Sequence, residues 1–337
     1  MHYLKFNGIL LCTLEQFDAN HSNQTILIDD SAEALSSGAN DIVAVKQADG
    51  SFQSTALEVK VGKTTNWKTM FRSREGKKAK IKVNDTFVLE NTELEIVDSG
   101  DVFIMRPDQS TKFTSKELKD MNLKNGRNEA VLIVKDLDIE IPFAIYLLNQ
   151  KDRLVITDVD GTITTSNTIG YIGGSFGYDV HHDGVVELFE KVNTLGYTMI
   201  YLSARPLGEN EEKTRDYLFG TLRPNDKGFY LPISPLILSN VVLLQGVLEA
   251  GDPSERKAAT VRSIINMFDS KENVVFAAYG NQDSDAKAYV KSGIDKKRIF
   301  MVDKTSKMKN YGTGEETSYK KHVQDIDTMF PRFHTNH

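Results

Sequence analysis

The sequence predicts an α/β protein of two domains, with an amphipathic helix in front of them. Short segments of alternating polarity, separated by turn residues, fill residues 20–150 and predict a β-sandwich. From residue 151 to residue 337, buried-strand patterns alternate with amphipathic-helix patterns, which is typical of a doubly wound parallel sheet. This change of period places the domain boundary near Gln150.

Composition limits the classes of protein to consider. The 337 residues carry a net charge of −6, which gives no electrostatic reason to expect a nucleic-acid partner. The single cysteine, Cys12, excludes an internal disulfide and fits a reducing compartment. No signal-peptide pattern opens the sequence, and two prolines and several polar residues interrupt the uncharged stretch 228–248. We therefore expect no membrane-spanning helix, and a protein that is soluble or peripheral.

Residues 1–19 predict the amphipathic helix, because apolar side chains recur there at spacings of three and four. The stripe consists of Tyr3, Phe6, Leu10, Leu14 and Phe17. Such a helix either packs against its own protein or lies in a membrane interface with its aromatic rings among the headgroups. The terminal position and the broad apolar arc favour the membrane.

The sandwich follows from a series of short apolar segments with strand-like period. They cover residues 42–45, 52–61, 80–82, 86–89, 94–97, 102–105, 130–134 and 139–148. Ala48-Asp49-Gly50-Ser51 is a turn signal between the first two segments, and Ser115 begins a short predicted helix.

A basic run crosses the sandwich between residues 60 and 82, where nine Lys and Arg residues are opposed only by Glu75. Trp67 is interleaved with them. Lysines commonly protect an exposed sheet edge, which is one interpretation of the run. The second is a docking patch for anionic lipid, with Trp67 at headgroup level and each basic residue contributing ~1 kcal/mol. Nucleic acid is the weakest of the three, since no recognition motif supports it.

The strongest chemical signal follows the apolar strand 154–156, which ends in Asp158-Val159-Asp160-Gly161. Open α/β sheets bind ligands outside the carboxyl ends of their strands. There Asp158 could attack phosphorus, while Asp160 protonates the departing alkoxide and later activates water. A divalent cation is needed, because two carboxylates otherwise repel a phosphate dianion. The alternative is a strand followed by an acidic helix cap.

Three later segments add complementary side chains at strand ends or helix starts. Ser203 could donate to a phosphate oxygen, and Arg205 could hold the phosphate or headgroup. Lys257 could neutralise the nucleophile and the transferring group, and Asn281 with Asp285 supplies the hard oxygens that Mg²⁺ prefers. Singly, these residues are more often a helix cap, a surface lysine and a polar turn, but their order along the chain argues against coincidence.

That order resembles the haloacid dehalogenase superfamily of phosphatases, and the fuller set of motifs resembles the lipin family. The matching segments are 158–164, 203–205, 214–218, 225–228, 235–239 and 280–285. Residues 41–50 and 71–75 are similar to the N-terminal conserved region of lipins, and residues 114–124 to the opening of their C-terminal region. The likeness covers nearly the whole chain.

The resemblance implies a Mg²⁺-dependent phosphatidate phosphatase that acts on phosphatidic acid at an anionic membrane surface. It implies a haloacid-dehalogenase-like Rossmannoid catalytic domain beside an immunoglobulin-like domain built from both lipin regions. Asp158 is then the nucleophile and Asp160 the general acid/base; Asp158, the Asp160 backbone carbonyl and Asn281 bind Mg²⁺, with Asp285 in support. The implied phosphate and substrate contacts are Thr162, Ser203, Ala204, Arg205 and Lys257. Gly62 matches a family glycine associated with activity.

Two other functions stay open at this level. One is a catalytically silent phosphatidate-binding module, which the presence of both aspartates disfavours. The other is a phosphatase for a soluble phosphate ester, in which the first helix serves only packing. The expected location is the cytoplasm, peripheral to the endoplasmic reticulum or nuclear membrane, and the oligomeric state is left open.

Overall fold

The computed structural model describes eight stretches of the chain together with the backbone of five further strands. The stretches are residues 37–61, 79–89, 111–134, 139–165, 181–208, 211–221, 228–239 and 252–333. The five further strands are β1 (Tyr3–Phe6), β2 (Ile9–Cys12), β3 (Leu27–Ile28), β10 (Leu94–Ile96) and β11 (Asp101–Ile104). Trp67, Gly62 and most of the basic run fall outside these residues.

The amino terminus forms strands where the apolar spacing predicted a helix. Strands β1 and β2 pair antiparallel with Phe6 opposite Ile9, and β3 pairs with β2. The helix prediction is therefore wrong for Tyr3, Phe6 and Leu10, whereas Leu14 and Phe17 lie outside the described residues. The overlooked signal is the Asn7-Gly8 dipeptide between two apolar segments, which is the strongest short-range indicator of a β-hairpin.

The described part of the first domain has two sheets in addition to the one formed by β1, β2 and β3. Its remaining strands are β4 (Gly38–Ala39), β5 (Ile42–Lys46), β6 (Phe52–Ser54), β7 (Val59–Lys60), β8 (Ala79–Val83), β9 (Thr86–Leu89), β12 (Gly126–Val134) and β13 (Ile139–Asn149). One sheet has the order β6-β5-β13-β12-β8-β9, and the other β10-β11-β7-β4. All pairs are antiparallel except β5 with β13, which run parallel.

A common apolar core joins these two sheets. Val59 of the smaller sheet belongs to the same buried cluster as Ile81, Leu132 and Ile145 of the larger one. Strand β8 alternates buried and half-buried residues, as expected for a strand with one face in a core. Helix α1 (Ser115–Asp120) begins with a capping box and buries Leu118 in that core. The two-layered β-structure supports the predicted sandwich, and its immunoglobulin-like class stays a prediction.

The second domain is a seven-stranded sheet with helices on both faces, which confirms the α/β class. Its strands are β14 (Arg153–Asp158), β15 (Tyr197–Pro206), β16 (Leu236–Ser239), β17 (Val275–Gly280), β18 (Ile299–Val302), β19 (Met308–Asn310) and β20 (Glu316–Thr317). The order is β16-β15-β14-β17-β18-β19-β20, and the first five strands run parallel. The order reverses beside β14, which marks the expected ligand-binding edge.

In the described part of this domain, four helices and two further helical segments lie between the strands, and two more helices follow β20. The helices are α2 (Val185–Thr194), α3 (Glu211–Arg215), α4 (Pro253–Ile265), α5 (Asp283–Lys291), α6 (Tyr319–Gln324) and α7 (Ile326–Met329). A π-helical segment, Asp216–Thr221, continues α3, and a 3₁₀ turn, Lys296–Arg298, precedes β18. Among the described residues, no helix combines the length and apolar character needed to cross a bilayer.

The two domains share part of their cores. Strand β13 ends at Asn149 and β14 begins at Arg153, so only three residues separate the sandwich from the parallel sheet. Val43 and Leu148, on the outer face of the sandwich, lie in one apolar cluster with Leu154 and other residues of the α/β domain. The sandwich is thus packed against the sheet that carries the predicted site.

Candidate active site

Asp158 lies at the carboxyl end of β14, the central strand of the parallel sheet. Leu154, Val155 and Ile156 before it are fully buried, because helices cover both faces of this strand. Asp158 itself is 4% exposed. Burial raises the pKa of its carboxyl to about 7, and the nearby Lys257 ammonium opposes that rise. The proposed nucleophile therefore depends on positive charge to stay ionised.

Lys257 supplies part of that charge. Helix α4 starts at the N-cap Asp252 and brings this lysine, in its second turn, against the strand ends. Its Nζ lies 2.6 Å from Asp158 Oδ1 and 2.5 Å from Asp285 Oδ1. Burial alone lowers the pKa of a lysine, but the two carboxylates outweigh it and raise the pKa of Lys257. The lysine is held as a cation between two strand ends.

Asp285 links this pair to the loop after β17. Its Oδ2 accepts hydrogen bonds from the backbone N–H groups of Asn281, at 3.1 Å, and Gln282, at 2.9 Å. The loop is tight, because a Cβ placed on Gly280 would lie 2.6 Å from the Asp285 Cβ. Asp285 therefore fixes the backbone that presents the Asn281 side chain.

Two side-chain oxygens that could bind a cation, one at the end of β14 and one just after β17, lie close to Thr162. Its Oγ1 lies 3.2 Å from Asp158 Oδ2 and 3.5 Å from Asn281 Oδ1. Among the described residues, no group of three His, Cys, Asp or Glu side chains is arranged for a metal ion. One carboxylate, one amide oxygen and a backbone carbonyl nevertheless fit Mg²⁺, which keeps several waters and uses few protein oxygens. The residues present are compatible with the implied cation.

Charge in the buried part of the site also favours a cation. Three carboxylates, those of Asp158, Asp160 and Asp285, face two cationic side chains, Lys257 and Arg205. The net charge of these five side chains is therefore negative, although the substrate predicted from the sequence is itself an anion. A bound divalent cation would reverse that net charge.

Asp160 is held by two partners from the end of β15. Ser203 Oγ donates to its Oδ2 at 3.0 Å. The Arg205 guanidinium contacts both carboxylate oxygens, with Nη2 2.6 Å and Nε 3.0 Å from Oδ1. Arg205 is only 3% exposed, and its Nη1 donates to Thr214 Oγ1 at 2.9 Å. The sequence predicted that Arg205 holds phosphate or headgroup; in the structure its guanidinium contacts Asp160, the predicted acid/base residue.

A pocket of about 140 Å³ opens beside these carboxylates. Asp158, Asp160, Ser203, Lys257 and Asp285 line it, together with the exposed Ala204. An apolar wall consists of Leu202, Ile237, Leu238 and Pro253. Glu58, from the sandwich, also lines the pocket, so both domains border the site.

Comparison with known proteins identifies the family. The protein-family model "LNS2 (Lipin/Ned1/Smp2)" matches residues 109–331 of the sequence. The family model "lipin, N-terminal conserved region" matches residues 21–122. The chain belongs to the lipin family. The resemblance seen in the motifs is thereby confirmed.

Several curated lipin-family relatives are named as phosphatidate phosphatases. The chain is 33% identical to phosphatidate phosphatase LPIN1 of Homo sapiens over 237 residues, 68% of this chain and 26% of that protein. It is 31% identical to phosphatidate phosphatase PAH1 of Arabidopsis thaliana, covering 65% of this chain and 24% of that protein. For phosphatidic acid phosphohydrolase 1 of Saccharomyces cerevisiae the identity is 30%, covering 58% and 24%. The chain spans about a quarter of the length of these relatives.

The structure of this lipin-family chain adds residues that the sequence did not single out. His182 is fully buried, with Nε2 3.2 Å from the Gly161 carbonyl and Nδ1 2.8 Å from Ser306 Oγ. It therefore supports the turn between Asp158 and Thr162 from behind. Arg256 and Glu58 at the pocket were also missed. Arg256 is next to Lys257 in the sequence, which could have indicated that it lies at the site. No local sequence pattern distinguishes Glu58 or His182 from other residues of their type.

Proposed function

We propose that this lipin-family chain is a Mg²⁺-dependent phosphatidate phosphatase, which converts phosphatidic acid to diacylglycerol and phosphate. The observation that carries the proposal is a cluster in which Lys257 bridges Asp158 and Asp285. Asp160 lines the same pocket as these three residues. The printed names of the relatives supply the substrate. Because that substrate stays in a bilayer, the proposal includes action at a membrane surface, with peripheral association.

In the first step an oxygen of Asp158 attacks phosphorus and forms an aspartyl-phosphate. The bond from phosphorus to the glycerol oxygen breaks, and Asp160 gives its proton to that oxygen, so diacylglycerol leaves neutral. In the second step Asp160 takes a proton from water while the water oxygen attacks phosphorus. Phosphate leaves and Asp158 is restored as a carboxylate, ready for another turnover.

The neighbouring side chains stabilise charge during these steps. Lys257 lies 2.6 Å from Asp158, so it can follow negative charge from the carboxylate onto the phosphoryl oxygens. Ser203 is hydrogen-bonded to Asp160 and borders the pocket, so its hydroxyl can turn to a phosphoryl oxygen. Thr162 donates to Oδ2 of Asp158, whereas Lys257 contacts Oδ1, so the two side chains together keep the nucleophile oriented.

Asp158, the Asp160 backbone carbonyl and Asn281 would hold Mg²⁺, with Asp285 fixing the Asn281 loop. When bound, the ion supplies Lewis-acid stabilisation of negative charge on the phosphoryl group. Its binding also removes the excess negative charge that the three buried carboxylates leave.

The rival functions differ in what they require of the site. A silent binding module has no need of an aspartate pair with a buried lysine, and both aspartates are present here. A phosphatase for soluble esters needs the same carboxylates but not an apolar wall. The wall formed by Leu202, Ile237 and Leu238 favours a glycerolipid.

Phosphate release from phosphatidic acid in mixed vesicles tests the proposal. We expect release with Mg²⁺ and none with EDTA, and at least a roughly 10³-fold loss in Asp158→Asn, because the amide cannot form the covalent intermediate. Asp283→Asn is the matched control, since Asp283 is an exposed carboxylate that pairs with Lys287 within helix α5, two residues before Asp285.

Each outcome decides between the functions. Release from wild type and Asp283→Asn, lost in Asp158→Asn, supports the proposal. Vesicle binding without release points to the silent module. Release from soluble phosphate esters alone overturns the lipid substrate and retains the phosphatase.

A further inference from the structure

We infer that Asp41, a residue of the β-sandwich, positions the acid/base residue Asp160 of the α/β domain through helix α3 and Arg205. The inference rests on the proposed function, because it concerns the residue that protonates the leaving group. It adds a role for the sandwich in the chemistry itself.

Asp41 ties three parts of the molecule together. Its side chain is fully buried and accepts hydrogen bonds from Ala144 N, at 2.8 Å in the sandwich, and from Leu236 N, at 2.9 Å in strand β16. Arg215 Nη1 donates to Asp41 Oδ2 at 2.9 Å, and Arg215 Nη2 lies 2.9 Å from Oδ1. A buried carboxylate with these donors has little freedom to move, so it fixes the end of α3.

The sandwich also fixes the start of α3. A Cβ on Gly38 would lie 3.1 Å from Glu211 Cβ and 3.3 Å from the Gly208 backbone, so strand β4 presses directly on this segment. Glu211 forms an ion pair with Arg215 one turn later. Both ends of α3 are therefore set by contacts with the other domain.

Helix α3 in turn orients Arg205. Thr214, next to Arg215, is fully buried and accepts from Arg205 Nη1 at 2.9 Å. The remaining edge of the guanidinium lies against both oxygens of Asp160, with Nη2 2.6 Å from Oδ1. A planar guanidinium held at one corner can present its other edge in only one direction. A shift of Asp41 would thus reach Asp160 through three contacts, those of Asp41 with Arg215, Thr214 with Arg205, and Arg205 with Asp160.

The chemical consequence depends on the leaving group. An alkoxide such as that of diacylglycerol leaves poorly without a proton, so misplacement of Asp160 should slow its departure strongly. A nitrophenolate leaves readily without one. Variants that disturb the connection should therefore lower kcat/KM, which reports only the steps up to release of the leaving group, for an alkyl phosphate and retain it for p-nitrophenyl phosphate. A general structural defect lowers both values.

The experiment measures kcat/KM for short-chain phosphatidic acid and for p-nitrophenyl phosphate, with the full chain and Mg²⁺. For Asp41→Asn and Thr214→Val we expect the ratio of the two kcat/KM values to fall roughly 10- to 100-fold, part of the 10²–10⁴ that general acid catalysis contributes. Thr214→Ser keeps the hydroxyl and should keep the wild-type ratio. Gln47→Ala is the matched interface control, because Gln47 Nε2 donates across the domain boundary to the Met267 carbonyl, away from α3.

Thr214→Val serves if Asp41→Asn does not fold, since it leaves the Asp41 contacts in place. An unchanged ratio in Thr214→Val, or an equal fall in both activities, overturns the inference while the proposed function stands. The same ratio change in Gln47→Ala also overturns it. A wild type that hydrolyses neither ester overturns both the proposed function and the inference.

Discussion

Buried charge governs the behaviour of single residues in this molecule. Lys257 remains a cation although it is buried, because Asp158 and Asp285 both lie within 2.6 Å of its Nζ. His322 shows the opposite outcome: among the described residues, its ring is hydrogen-bonded to the neutral Tyr279 hydroxyl, at 3.1 Å, and burial outweighs the charge around it. A buried group stays charged where nearby opposite charge outweighs the cost of burial, and is neutral where it does not.

His322 should make stability depend on pH. Burial lowers its pKa to about 4, against a nearby Asp325 that raises it, while the unfolded chain has the ordinary value of 6.5. Between these values the unfolded state binds more protons, so the free energy of unfolding rises with pH and is fully recovered above about pH 6.5. The total should be about 3 kcal/mol.

Denaturant unfolding of wild type and His322→Gln at pH 7 and at about pH 4 measures this contribution. We expect wild type to lose about 3 kcal/mol more than the variant on acidification. An equal loss in both proteins would mean that His322 is protonated in the folded state.

At the scale of elements, the site depends on a short, tightly packed connection between a strand and the helix that follows it. Strand β17 and helix α5 are joined by two residues, Asn281 and Gln282. Asp285, in the first turn of α5, closes this connection by accepting both backbone N–H groups. The helix start and the candidate cation ligand are thereby one structural unit.

Gly280→Ala should disrupt that unit. The new Cβ would lie 2.6 Å from Asp285 Cβ, so α5 must move and Asp285 must leave Lys257. We expect a stability loss of ~1–3 kcal/mol, together with a turnover loss of about tenfold or more. Thermal unfolding and phosphate-release assays measure both.

Gly220→Ala is the matched control, because a Cβ there has nothing within 4 Å. It should leave turnover unchanged. Full activity in Gly280→Ala would show that Asp285 is not needed in its present place.

At the scale of the whole molecule, the two domains behave as one packed body. Leu148, at the end of β13, is 3% exposed and lies in a cluster with residues of the parallel sheet. Its neighbour Leu147 points into the core of the sandwich. One strand therefore contributes to two cores, which ties the stability of the catalytic sheet to the sandwich.

Leu148→Ala should destabilise both domains, by ~2–5 kcal/mol, because the lost methyl groups come from the shared cluster. Hydrogen exchange should accelerate by a similar factor in β8 of the sandwich and β17 of the α/β domain. Leu147→Ala is the same substitution one residue away, and it leaves the shared cluster intact. It shows how much hydrogen exchange in β17 accelerates when only the sandwich core is disturbed. Acceleration confined to β8 in Leu148→Ala would contradict a joint core.

Much of the α/β domain could be predicted from local pattern. Apolar segments such as residues 154–156 can be stable only as buried strands, and polar residues that follow such strands are brought to one edge by parallel pairing. The structure accordingly places Asp158, Lys257 and Asp285 at one pocket, and brings Asn281 to Thr162 beside Asp158. The boundary predicted near Gln150 lies in the three residues between β13 and β14, and the division into two domains stays a prediction.

At the amino terminus the local period suited a helix, but strands β1 and β2 pair as a hairpin that the overlooked Asn7-Gly8 signal favours. Other features depended on partners that are distant in the sequence. By itself, then, the sequence determined the parallel sheet, the family and the order of the residues at its edge. Only the tertiary structure decided that Arg205 turns to Asp160 and that Asp41 meets Arg215. The physical reason is that a buried charge takes the partner that packing brings near, and packing depends on the whole chain.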